Sequence, residues 1–154
     1  MADLPFLDFR RTVGARIGQT NRKWRMAIDE CLKPLELTDA TWLPLLHISR
    51  LSSPPRQKDL AEFVGIGDSS LVRLIDILVR RGLVRRETDI DRRAKVIVLT
   101  AQGRAMVEKV ELIIAEVRRK VLTEVSDTDL AVAMKVMDRI CAALDNIMRP
   151  VKED

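Results

Sequence analysis

Two small groups of side chains have the types and spacing to grip a nucleic acid. Ser69, Ser70 and Arg73 fall within about one turn at the start of a helix-forming stretch. Asp91, Arg92 and Arg93 stand together in a polar segment further along. An arginine can hold a guanine edge through two parallel hydrogen bonds, and serine hydroxyls suit phosphates and base edges alike. The alternative reading is that the serines only cap a helix and Arg73 is a solvated surface residue. For the second group, exposed ion pairs contribute only ~0–1 kcal/mol, so stability explains it poorly. The narrow, strongly negative minor groove of A·T-rich DNA attracts arginine, and Asp91 could hold one guanidinium in place.

Charge placement supports the same chemistry. The 154-residue chain has 27 Lys and Arg against 23 Asp and Glu, a net charge of +4. Between Arg80 and Lys95 lie the cations Arg80, Arg81, Arg85, Arg86, Arg92, Arg93 and Lys95, against Glu87, Asp89 and Asp91. That excess equals the surplus of the whole chain, so the positive charge is concentrated there. Chemistry of other classes finds no parts: there is no glycine-rich phosphate loop, no nucleophile beside a base and no metal-binding cluster. The chain is therefore not expected to be an enzyme or to hold a cofactor. His47, the only histidine, lacks partners for a metal and reads as a packed or pH-sensitive helix residue.

The elements that must position these residues are mostly helical. Hydrophobic residues make up 47% of the chain, with six glycines and six prolines, a composition that suits a packed, helix-rich domain. Phe6, Phe9, Val13, Ile17, Trp24 and Ile28 recur at helical spacing and predict a helix from about Leu7 to Leu32, closed by Pro34. Thr38 reads as the N-cap of a second helix reaching about Leu51, which Pro44 should bend or delay. After Ser52-Ser53-Pro54-Pro55, a short helix runs from Gln57 to Val64 and turns at Gly65-Ile66-Gly67. Asp68 or Ser69 caps the next helix, which buries Leu71, Leu74, Ile75 and Leu78 and ends before Gly82. The period then changes to two strands, Leu83 to Thr88 and Ala94 to Leu99. Thr100 caps a fifth helix to about Glu124, and Ser126 with Asp129 opens a sixth. In the sixth, Leu130, Met134, Met137, Cys141, Leu144 and Met148 are spaced 4, 3, 4, 3, 4, a narrow seam suited to another long helix. The first, fifth and sixth helices either pair about a two-fold axis or form one monomeric bundle.

Helix, turn, helix and hairpin in this order form a winged helix-turn-helix, whose second helix enters the major groove. The run Leu78-Val79-Arg80-Arg81-Gly82-Leu83-Val84, followed by Asp91-Arg92-Arg93-Ala94-Lys95 and by Val98-Leu99-Thr100 with Gly103, closely resembles the MarR family of bacterial regulators. Leu32-Lys33-Pro34-Leu35-Glu36-Leu37-Thr38 and Ser70-Leu71-Val72-Arg73 are similar to its SlyA branch. The resemblance covers the chain from about Trp24 to the sixth helix. It departs at a shorter wing tip and at Pro44. It implies a homodimer that represses or otherwise regulates transcription from a near-palindromic double-stranded DNA operator. Ser69, Ser70 and Arg73 would face the major groove; Arg92 and Arg93 would reach the minor groove, with Asp91 orienting one of them.

The resemblance divides the chain into an N-terminal dimerisation segment (residues 1–34), a winged helix-turn-helix domain (35–100) and C-terminal dimerisation helices (101–154). It also implies release by a small aromatic carboxylate. Arg22, Trp24, Arg25 and Trp42 are the candidate ligand residues: a ring would stack on Trp42 while its carboxylate met Arg25 or Arg22. Alternatively the tryptophans are core and the arginines surface. Cys31 admits a redox-sensing reading if it is exposed and acidified, and Cys141 reads as structural. A protein-interaction module that kept the fold without binding DNA is the competing class. The chain carries no secretory signal and no apolar run of membrane-spanning length, so a cytoplasmic setting is expected.

Overall fold

The computed structural model describes residues 6–88 and 95–148. These form six helices, α1 (Phe6–Leu32), α2 (Asp39–Arg50), α3 (Gln57–Val64), α4 (Asp68–Arg80), α5 (Ala101–Val121) and α6 (Asp127–Met148), with a 3₁₀ turn at Lys33–Leu35. A two-stranded antiparallel hairpin, β1 (Val84–Thr88) and β2 (Lys95–Leu99), lies between α4 and α5. Its register pairs Val84 with Leu99 and Thr88 with Lys95. The expected fold class, mostly α with a small hairpin wing, is therefore the one observed.

Local chemistry explains the element ends. Thr38 is the N-cap of α2, but the cap bonds come from Thr41: its hydroxyl accepts from the Thr38 N–H at 2.8 Å and donates to the Thr38 carbonyl at 2.9 Å. Pro44 does not delay the helix, which starts at Asp39, and its ring is buried. Gly65 and Gly82 both have positive φ, 72° and 67°, the left-handed closure that glycine adopts without a Cβ penalty. At the end of α4 the Gly82 N–H donates to Val79 O and the Leu83 N–H to Leu78 O. The start of α4 differs from expectation. Gly67, not Asp68 or Ser69, is its N-cap, so Asp68 is already helical. Thr100 takes the N-terminus of α5 as expected, its hydroxyl accepting from the Gly103 N–H at 2.9 Å and donating to Gly82 O at 2.6 Å. Ser126 and Asp129 close the start of α6 reciprocally.

The chain divides into two compact units, Met1–Val117 and Arg118–Asp154. In the first, α3 and α4 pack on α2 and on the hairpin around fully buried Leu45, Leu60, Leu71, Ile75, Leu78 and Ile97. The core crosses the segment boundaries expected from the sequence. Ile28 and Leu32 of α1, with Val107 and Val110 of α5, belong to the same buried cluster. A third extended segment supports the hairpin: Arg56 bridges Val96, and the Ile97 N–H donates to Pro55 O at 3.0 Å. In the second unit α6 buries none of its residues. Its seam residues Met134, Met137, Leu144 and Met148 are exposed, and so is Cys141.

Candidate nucleic-acid interface

Helix α4 presents two different faces because its apolar residues recur at i, i+3, i+4 and i+7. Leu71, Leu74, Ile75 and Leu78 are buried, while Ser69, Ser70 and Arg73 are exposed at its start. With Gly67 in the cap position and no side-chain cap bond, the serines are not spent on closing the helix. Arg73 forms no ion pair among the described residues. The geometry thus brings the three predicted reading residues together on one solvent-facing turn. Asp91, Arg92 and Arg93 lie outside the described residues.

The basic run from Arg80 to Lys95 is less uniform than its composition suggests. Arg81 is a structural anchor: Nη1 donates to Glu36 O at 2.6 Å and Nη2 to Leu35 O at 3.0 Å. It therefore bolts the end of α4 onto the turn before α2, where Glu36 holds a left-handed φ of 54°. Arg86 Nη2 donates to Asp76 Oδ1 at 2.7 Å, tying β1 to α4. Arg85 pairs with Glu87 along the same strand at 2.6 Å. Arg80 and Lys95 are exposed and, among the described residues, form no ion pair. Sequence reading missed the Asp76–Arg86 clasp. The available signal was an acid on the outer stripe of α4, in line with Ser69, Arg73 and Arg80 at helical spacing, where a bare carboxylate would repel phosphate.

The four residues expected to bind a carboxylate do not assemble that way. Trp42 is 4% exposed, and its indole N–H donates to Asp29 Oδ1 at 2.8 Å, so its ring offers no open face for stacking. Arg25 Nε lies 3.1 Å from Asp39 Oδ1, a carboxylate supplied by the chain itself. That oxygen is buried without a hydrogen bond of good geometry, so the pair is held by charge alone. Desolvation accordingly raises the Asp39 pKa, against the lowering effect of Arg25. Arg22 is exposed and Trp24 packs half-buried against the core. Cys31 is exposed. His47 stacks on Phe63 of α3, ring centroids 3.4 Å apart. Among the described residues there is no cluster fit for a metal ion, and no helix is long and apolar enough to cross a membrane.

Known proteins share this arrangement. A family model described as MarR family matches residues 35–94. The solved transcriptional regulator PA3341 is 42% identical, with a TM-score of 0.82 over 87% of this chain and 98% of that one. MarR from E. coli is 23% identical, with a TM-score of 0.72 over 82% of this chain and 95% of its own. AbsC, a MarR family transcriptional regulator from Streptomyces coelicolor, is 23% identical, with a TM-score of 0.76 over 95% and 97%. The last two are alike in fold alone. The match from the end of the 3₁₀ turn to the residue before β2, with the identity to PA3341 over nearly all of that protein, shows that the chain belongs to the MarR family of transcriptional regulators.

Proposed function

We propose that the protein is a homodimeric, sequence-specific double-stranded DNA-binding regulator of the SlyA-like branch. Each subunit inserts the first turn of α4 into a major groove of a near-palindromic operator. Ser69, Ser70 and Arg73 meet bases and phosphates there. The tip residues Arg92 and Arg93 enter the adjoining minor groove, with Asp91 orienting one of them. The observation that carries this reading is the free polar turn at the start of α4, on a helix whose opposite face is locked in the core. The dimer is supported by the apolar seam of α6, whose Met134, Met137, Leu144 and Met148 are exposed among the described residues.

Selection of bound sites from random DNA tests the proposal. The expected product is a palindromic consensus with half-sites about one helical turn apart. Affinity should fall steeply with salt as neutralised phosphates release counterions. Arg73→Ala should relax specificity at one base pair per half-site, costing ~1–3 kcal/mol. Alanine at Arg92 and Arg93 should weaken binding across sequences. Absence of any enriched site, with a salt-insensitive protein partner instead, would favour the interaction-module reading.

A further inference from the structure

A cavity of about 350 Å³ lies within the first unit, away from both α4 and the Trp42 region. It opens between the end of α2, the 51–54 loop, β2 and the first turns of α5. Ile48, Leu51, Ile97, Leu99 and Val107 give it an apolar floor, and Ser49, Ser52 and Ser53 contribute hydroxyls. Arg104 and Glu108 also line it. Its size falls within the range of small-molecule sites, ~300–1,000 Å³.

The two charged residues distinguish this cavity from an ordinary surface fold. They are four residues apart on α5, a spacing that sets two side chains on the same helix face. Yet neither forms an ion pair among the described residues. Arg104 Nη1 instead donates to Leu99 O at 3.0 Å. That bond fixes the guanidinium beside β2 and leaves its other N–H groups to donate. Glu108 sits one turn further, ~6 Å along the helix axis. The cavity therefore has a fixed cation, an anion one turn away and apolar walls below both.

We propose that this cavity binds a small zwitterion with an apolar tail, an α-amino acid of leucine or phenylalanine size. Its carboxylate pairs with Arg104, its ammonium with Glu108, and its side chain covers Ile97, Leu99 and Val107. A simple carboxylate satisfies Arg104 but brings its charge towards Glu108. A simple amine does the reverse. Selectivity for molecules carrying both charges follows from that opposition.

Titration calorimetry on the full chain without DNA tests the site, independently of the operator reading. The probes are L-phenylalanine, L-leucine, 3-phenylpropionate and phenethylamine. The expected result is saturable binding of at least one amino acid, about tenfold tighter than either singly charged analogue, a difference of ~1.4 kcal/mol. Arg104→Gln should abolish it. Glu108→Gln, which removes no side-chain hydrogen bond among the described residues, should erase the preference for L-phenylalanine over 3-phenylpropionate. The proposal is overturned if none of the four probes binds saturably, if 3-phenylpropionate matches L-phenylalanine on the unaltered chain, or if Glu108→Gln keeps the same preference.

Discussion

Helices α4 and α6 look alike as sequences, each with an apolar stripe at helical spacing and charges elsewhere, yet the chain treats them in opposite ways. Helix α4 buries its stripe completely against α2, α3 and the hairpin. Helix α6 buries nothing. The apolar side of α4 is thus satisfied by its own chain, and the proposed reading residues lie on the polar side. The apolar side of α6 stays exposed among the described residues, and the proposed dimer contact lies there. Periodicity reports that a helix has two faces; only the packing tells which face is left to act.

The largest effect that sharpens this contrast is a cavity in α4. Ile75→Ala should cost ~2–5 kcal/mol, read as a lower urea midpoint than the unaltered chain at the same protein concentration. Glutamates at Met137 and Leu144 of α6 should act differently. They should shift sedimentation from dimer to monomer, raising the dimer dissociation constant about tenfold or more, while far-ultraviolet circular dichroism keeps its helical signal. If the double variant stays dimeric, the seam is not the interface and the contrast between the helices fails.

A smaller effect concerns the clasp between α4 and β1. Breaking the half-exposed Asp76–Arg86 pair should change stability by ~0–1 kcal/mol. DNA affinity should respond asymmetrically: Arg86→Gln leaves a bare carboxylate on the outer stripe of α4 and weakens binding, whereas Asp76→Asn does not. Combining them should recover most of the loss in a double-mutant cycle. Equal losses from both single variants would show that the pair acts by positioning the strand instead.

The smallest effect is a pH dependence outside both helices. Burial, with a lesser contribution from Arg50, lowers the pKa of His47 from its ordinary 6.5. The unfolded chain therefore takes up this proton first as pH falls. The contribution of His47 is whole above pH 6.5 and is lost as pH drops through that value towards the lower folded pKa. His47→Phe, which keeps a ring against Phe63, should flatten the stability profile between pH 7 and 5. An unchanged profile would place the titrating group elsewhere.

What could be read from residues alone was local. Gly82 after α4, Thr100 before α5 and Ser126 with Asp129 before α6 are short-range chemistry, and each sits where its side chain or backbone requires. The N-cap of α4 was misplaced because Asp68 and Ser69 are both good caps by type, whereas Gly67 took the position through backbone conformation. Distant pairings were not legible. Arg81 reaches carbonyls at Leu35 and Glu36, so a residue that reads as part of a basic patch is partly a bolt. Trp42 met Asp29 across two helices, and no spacing rule connects those positions. The polar turn of α4 was legible because one helix carries all of it.

One contact has a mechanical consequence. A Cβ placed on Gly103 would lie 1.9 Å from the Leu83 carbonyl oxygen, and the Thr100 N–H donates to that same oxygen at 3.1 Å. The start of α5 and the root of the hairpin are thus pressed together with no side chain to cushion them. Close-packed matter transmits displacement instead of absorbing it. A tilt of α5 would therefore reach the root of the hairpin with little slack, as force passes a fulcrum without play.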